Sequence, residues 1–406
     1  MNAPAREVLT TFLRLGLSSF GGPLAHTGYF HREFVTRRRW LEESTFAQLL
    51  ALSQFLPGPA SSQLGFSIGL LRAGWAGALL AFVGFTLPSA LIMSTFVLLR
   101  PQLPGPLGAA AMHGLGLVAV AAVAYGVFAM AQRLCTDTRR SAIALAAAIL
   151  IVLGHGTWMQ ITAILFGALA GIVLCRDAHL DVAARFQLRY GARLGWSLLV
   201  AFAALLVVLP AIAAGHGGLW AVAAAFYRAG AFVFGGGHVV LPLLEQSVVA
   251  PGWVSHEDFL AGYGAAQAVP GPMFTLAAYL GAILPGDMGG SAGALCALIS
   301  IFLPGLLLVA GVLPVWRTLG ARPLAAGAIA GVNAAVVGLL AAALYSPVGV
   351  SAIHAPVDVA IVIVALWLLR TTALSTLLAV GWCVAASIAW VAWAGRLAAC
   401  IEASQV

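Results

Sequence analysis

The sequence predicts an all-α polytopic membrane protein made of two inverted-topology repeats, each with broken, re-entrant helical hairpins. Three observations carry that prediction. Hydrophobic residues make up 62% of the 406 residues and charged residues only 8%, with a mean hydropathy of +1.02, whereas about a quarter of a soluble domain is charged. Long charge-free runs recur, at 73–99, 101–132, 141–175, 194–227, 288–316, 323–357 and 371–395, and ~20 apolar residues are enough for a helix to cross a bilayer. Finally, one interrupted motif occurs twice. Phe12-Leu13-Arg14-Leu15-Gly16 leading to Phe20-Gly21-Gly22 returns as Phe226-Tyr227-Arg228-Ala229-Gly230 leading to Phe234-Gly235-Gly236. Trp40, Phe46, Gln54 and Pro57-Gly58-Pro59 return as Trp253, Phe259, Gln267 and Pro270-Gly271-Pro272.

The elements follow in order. A hairpin over 8–31 is broken at the Gly21-Gly22-Pro23 stretch, and a second over 45–71 at Pro57-Gly58-Pro59. Crossings are expected near 74–99, 108–132, 141–153 and 157–175, the last two separated at Gly154-His155-Gly156. A helix near 195–214 is the odd element that inverts the second copy. Hairpins over 222–244 and 258–284 follow, then crossings near 289–315, 323–345, 357–370 and 373–394. This makes about nine full crossings plus four hairpin regions. The short helix 141–153 has an equally short counterpart at 357–370, as a duplication requires. The chain divides into an N-terminal repeat (1–175), a cytoplasmic loop with a linking helix (176–215) and a C-terminal inverted repeat (216–406).

Charge sets the orientation. The 20 basic residues, all Arg, outnumber 13 acids, for a net +7. They cluster in short loops, which points to membrane orientation rather than to nucleic acid. If the four hairpins return on the side they enter, Arg6, Arg32, Arg37, Arg38, Arg39, Arg72, Arg133, Arg139, Arg140, Arg176, Arg185, Arg189, Arg193, Arg317, Arg322 and Arg370 share one face. Only Arg100 and Arg396 fall on the other. The Arg-rich face is then cytoplasmic, with the N-terminus inside and the C-terminus periplasmic. The loop after the first motif holds Arg37-Arg38-Arg39, while its counterpart from Ser247 to Asp258 holds no Arg, so the copies face opposite ways. Motif helices that crossed fully would instead put the N-terminus outside. None of the five cysteines forms a CxxC pair, so neither a zinc site nor a disulfide framework is indicated. No cleavable signal segment is expected. No Walker A motif, haem ligation pattern or nucleophile elbow occurs, so neither a cofactor nor enzymatic chemistry is expected.

Duplicated, Gly/Pro-interrupted apolar segments mark secondary transporters, whose substrate site lies where the copies meet near the bilayer midplane. Arg14 and Arg228 are the sharpest signal. An Arg at mid-helix costs roughly 2.5–3.5 kcal/mol on insertion scales, and its planar donor fork suits oxyanions; snorkelling to headgroups is the competing reading. Gly21, Gly22, Gly235 and Gly236 let backbone turn and approach a ligand, unless they serve helix packing. Gly58 and Gly271 sit before Pro59 and Pro272, which can open second half-helices whose N-terminal amides bind anions; a plain kink is the alternative. Ser61, Ser62 and Gln63 after one break and Thr275 after the other are candidate donors. Gln54 and Gln267 align. His26 and His238 follow the glycine breaks without aligning, and each serves either substrate or packing. Glu33 and Glu245 are the carboxylates nearest the motifs, candidates for proton coupling or for interfacial ion pairs. Asn333 lies mid-span.

Phe20-Gly21-Gly22-Pro23 through His26, Glu33-Phe34-Val35, Arg37-Arg38-Arg39-Trp40 and Gln54-Phe55-Leu56-Pro57-Gly58-Pro59 resemble the first signature of the chromate ion transporter family. Phe234-Gly235-Gly236-Gly237-His238-Val239-Val240-Leu241-Pro242-Leu243-Leu244-Glu245 and Gln267-Ala268-Val269-Pro270-Gly271-Pro272 resemble its second. The resemblance spans nearly the whole chain in the family's long, two-domain form. It implies a bacterial inner-membrane chromate efflux protein that confers chromate resistance. Some relatives of this type are linked to sulfate, and the residues do not separate these oxyanions. The expected partners are chromate or sulfate and the lipid bilayer; a homodimer is left open. Proton-coupled sulfate uptake, with Glu245 or Glu33 titrating, and a membrane anchor subunit of an enzyme remain the alternatives.

Overall fold

The computed structural model describes residues 3–20, 22–99, 105–154, 159–176, 186, 188, 190–234, 240–316, 323–371 and 375–404, and all their regular structure is helical. Helix α1 (Ala3–Ser18) buries Ala5, Val8, Phe12, Leu15 and Gly16, an i, i+3, i+4 stripe that faces the core. The chain breaks and returns as α2 (Gly22–His31), which runs on as one turn of π-helix, Arg32–Arg37. Helix α3 (Glu43–Phe55) enters again, and α4 (Ala60–Leu99) leaves. The carboxylate of Glu7 proves the return: it pairs with Arg38 at 2.8 Å and with Arg72 at 3.1 Å. Both arginines also lie over the Trp40 ring. The start of α1, the end of α2 and the end of the first limb of α4 therefore meet at one end of the molecule, as re-entrant hairpins demand.

Helix α4 is two helices. Its backbone leaves helical geometry at Ala73 and Gly74, where Gly74 adopts φ +67°. The limbs fold back so closely that a Cβ on Gly69 or Gly77 would overlap the other's carbonyl oxygen. The second limb is the expected crossing near 74–99. Next come α5 (Pro106–Leu134), α6 (Thr138–Leu153), α7 (Met159–Leu174) and the outlying α8 (Ala192–His216).

The second copy repeats the plan. Helix α9 (Gly218–Ala231) enters, and α10 (Val240–Leu244) follows, with its own π-turn at Glu245–Val249. Helix α11 (His256–Ala268) enters and α12 (Leu276–Ala282) returns, so that the Tyr279 hydroxyl reaches the Asp258 carbonyl at 3.2 Å. Helix α13 (Gly290–Val312) corresponds to the second limb of α4, and Gly290 (φ +65°) takes the role of Gly74. Then come α14 (Pro323–Ala343), α15 (Pro356–Thr371) and α16 (Ser375–Ser404).

The two copies exchange helices. Helix α5 packs on α15 and α16, while its counterpart α14 packs on α6 and α7. Gly114 on α5 lies against the Cys383–Val384 backbone, and Gly331, at the same place on α14, lies against Gly167. Small residues let these backbones touch where lipid offers no hydrophobic drive between helices. Stretches within α4, α5, α8, α13, α14 and α16 are long and apolar enough to cross a membrane. Helix α8 is hardly buried, and exposes Trp196, Val200, Val207 and Val208, the surface expected against lipid tails.

Candidate functional site

The breaks of the two copies bond to each other. Pro57 and Pro59 flank Gly58, and Pro270 and Pro272 flank Gly271; neither stretch can continue its helix. Gly58 (φ +123°) and Gly271 (φ +96°) hold backbone that L side chains rarely adopt. The Gly58 N–H donates to the Val233 carbonyl at 2.6 Å, and the Gly271 N–H donates to the Ser19 carbonyl at 2.9 Å. Ser19 and Val233 occupy equivalent positions just past α1 and α9. Each Pro-Gly-Pro break is thus pinned to the α1-type break of the opposite copy.

Polar side chains gather around this centre. His26 is fully buried, its Nε2–H donating to the Ser19 carbonyl at 3.1 Å and its ring edge-on to Phe85. In that tautomer Nδ1 is an acceptor and becomes a donor only on protonation. Gln63 Nε2 donates to the Pro57 and Gly305 carbonyls at 2.8 and 3.0 Å. Six buried polar atoms here have no partner among the described residues: Ser19 Oγ, His26 Nδ1, Ser62 Oγ, Gln63 Oε1, Thr86 Oγ1 and Ser89 Oγ. More than nine in ten buried polar groups find a partner, and exceptions call for a water, an ion or a ligand. None of these six residues is acidic. Four are hydroxyls, and Ser61 and Ser62 lie in the first turn of α4, where helix amides and dipole favour an anion.

The sequence-derived site divides in the structure. His26 is buried and bonds the Ser19 carbonyl, and Ser61 and Ser62 are buried in the first turn of α4, next to the Gly58 break. Gly58 and Gly271 are there in another capacity. Their N–H groups hold the two copies together and are not free for a substrate. A Cβ on Gly58 would come within 2.7 Å of Gln63 Nε2 and 2.8 Å of Gly305 Cα, and one on Gly271 would overlap Ser89 Oγ. Gly22 opens α2 at φ +74°. Thr275 is buried, but its hydroxyl is committed to the Pro272 carbonyl at 2.8 Å. Gln267 is buried against the Met273 sulfur at 2.8 Å, whereas Gln54 is exposed. Arg14 is exposed on α1 and Arg228 half-buried on α9; among the described residues neither pairs with a carboxylate. One cause of that difference is α8, which covers α9 and accepts the Tyr227 hydroxyl on its Phe202 carbonyl, while α1 has no such cover. Gly21, Gly235, Gly236 and His238 lie outside the described residues. The reading from sequence missed Ser19, Thr86 and Ser89; the signal available was the i, i+3 spacing of Thr86 and Ser89 in an otherwise apolar run.

Glu33 and Glu245 hold equivalent places. Each lies at the start of a π-turn, its carbonyl accepting from Arg38 N at 2.9 Å or from Ala250 N at 3.1 Å. Their side chains differ. Glu33 pairs with Arg38 at 2.6 Å and Arg37 at 3.0 Å. Burial pushes its carboxyl up, and the hydrogen bonds from Arg38 and Arg37 more than offset this, so its pKa lies below the ordinary value. Among the described residues Glu245 has no arginine beside it. It faces His256 Nδ1 at 3.4 Å and lines a cavity of about 250 Å³ with Gln160, Gln246 and Ser346.

Comparison with known proteins places this architecture. A family model described as "Chromate transporter" matches residues 6–172 and 220–391. A probable chromate transport protein of Synechococcus elongatus is 29% identical over 343 residues, covering 84% of this chain and 83% of the relative. The chromate transport protein of Cupriavidus metallidurans is 29% identical over 354 residues, with 84% and 81% covered. That of Pseudomonas aeruginosa is 26% identical over 307 residues, with 73% and 70% covered. No solved structure matches the chain.

Proposed function

This chain belongs to the chromate transporter family, and we propose that it exports chromate from the cytoplasm across the bacterial inner membrane and so confers chromate resistance. Its relatives are transporters rather than enzymes. The observation that carries the proposal is the pair of reciprocally bonded breaks ringed by unpartnered buried hydroxyls and the His26 imidazole. A tetrahedral dianion offers four acceptor oxygens to the hydroxyl donors, while the neutral His26 ring holds the Ser19 carbonyl beside them. We take residues 1–175 and 216–406 as the inverted units, with 176–215 between them, the N-terminus cytoplasmic and the C-terminus periplasmic.

Asymmetry between the copies supports alternating access. Helix α11 is seated on α5, where Gly264 abuts the Leu115 carbonyl. The same face of α3, at Ala47, Ala51 and Gln54, is exposed. One half is closed where its counterpart is open, and exchanging the two arrangements would move the opening across the membrane. Direction follows from charge. An inside-negative potential drives anions outward by about 2.3 kcal/mol per charge per 100 mV, so export of a dianion needs no further fuel.

Proton-coupled sulfate transport is the second reading, favoured by Glu245, a cavity-lining carboxylate without an arginine. Flux from proteoliposomes separates the two. Chromate efflux that accelerates with an inside-negative potential at constant pH supports the export reading. Sulfate flux driven by a pH gradient, with chromate not carried, refutes it.

A further inference from the structure

Among the described residues one cluster is of metal-ligand type, far in chemistry from the anion site. His113 lies in the second turn of α5, His354 precedes α15, and Asp358 sits in the first turn of α15. Their ligand atoms all lie within 4.8 Å of one another. His113 Nε2 is 2.9 Å from Asp358 Oδ1, and the two imidazoles stack at 5.4 Å with 22° between their planes. Asp358 is buried, His113 half-buried and His354 exposed.

Asp358 Oδ2 accepts the backbone N–H groups of His354 and Ala355, each at 2.9 Å. That could be a helix cap alone. But a cap occupies one oxygen, and here the other is turned to a histidine that a second histidine overlies. A carboxylate fixed by backbone donors is the outer-shell support that metal ligands require. Two imidazoles and one carboxylate form a donor set that suits zinc, and the exposed His354 edge leaves a fourth position for water.

We propose that His113, His354 and Asp358 bind a divalent transition-metal ion of the zinc class. The site joins α5 of the first copy to α15 of the second, the interface through which the copies exchange helices. A bound ion would tie them at that end.

The test uses the full chain, purified without a histidine tag, stripped with chelator and titrated with Zn(II). Bound metal is counted after desalting, and Co(II) substitution reports coordination by its visible absorption. The wild type should hold one more zinc per chain than His113→Ala/His354→Ala, and zinc should raise its Tm but not that of the double variant. The five cysteines are common to both proteins and cancel in the difference. His354→Ala alone, at an exposed position, should weaken zinc binding at least tenfold; it carries the test if the double variant fails to fold. Equal zinc content in wild type and variant, with no Co(II) band lost, overturns the proposal and leaves Asp358 as a helix cap.

Discussion

Replacing Gly271 by Ala tests whether the two copies are held together at their breaks. Gly271 has φ +96°, and an L residue held in such backbone costs about 1–3 kcal/mol. The new Cβ also overlaps Ser89 Oγ and comes 3.1 Å from the Phe85 carbonyl oxygen. Ser89 can turn away, but the Phe85 backbone cannot, so the Gly271 N–H bond to Ser19 must lengthen, at a loss of about 0.5–1.5 kcal/mol. Together these give a destabilisation of about 2–4 kcal/mol. Gly22→Ala is the internal control. It has φ +74° with nothing within 4 Å of its Cβ, so it carries strain without contact. Adding Ser89→Ala to Gly271→Ala should recover part of the excess and none of the strain. The assay is reversible unfolding in mixed micelles, alongside chromate flux normalised to inserted protein. Gly271→Ala should unfold more easily than Gly22→Ala and transport little. If the two variants are equally stable, the reciprocal bonding does not hold the copies together, and the reasoning fails.

The other predictions are independent of that one. Ser62→Ala and Thr86→Val each remove a buried hydroxyl that has no partner among the described residues; flux should drop several-fold while stability holds or rises by about 1 kcal/mol, and unchanged flux would remove these hydroxyls from the site. Arg14→Gln and Arg228→Gln should cripple normalised flux, with the Lys variants milder but impaired because the planar fork is lost; full flux in both Gln variants would leave the oxyanion to helix termini and hydroxyls. Glu33→Gln should lower stability by about 1–3 kcal/mol through its two arginines, and Glu245→Gln should not, changing instead the pH dependence of flux; a flux profile identical to wild type would exclude Glu245 from coupling. In a cysteine-free background, Thr36→Cys should be shielded from an outside thiol reagent and Ser255→Cys should react, both positions being exposed on the protein; labelling of both from one side would sink the inverted topology.

The sequence alone determined the all-helical membrane class, the duplication, the breaks and the longer helices, whose expected bounds fall within a few residues of those observed except that the last helix runs to Ser404, ten residues past its expected end. These features are local. A charge-free run of sufficient length, a proline that lacks an N–H and a glycine that tolerates positive φ act wherever the chain goes. Tertiary structure decided what equivalent residues became. Arg14 and Arg228, Gln54 and Gln267, Glu33 and Glu245 are paired by the repeat, yet one is exposed and the other covered, or one bound by arginine and the other open to a cavity. These outcomes depend on packing: α8 folds back over α9, its neighbour in the chain, and α5 lies under α11, while Glu33 meets arginines four and five residues on. The same holds for Gly58 and Gly271, which sequence reasoning assigned to a ligand and which instead bond to the opposite copy. A hydrogen-bond donor can be recognised from its residue type, but its partner is set only when the helices pack.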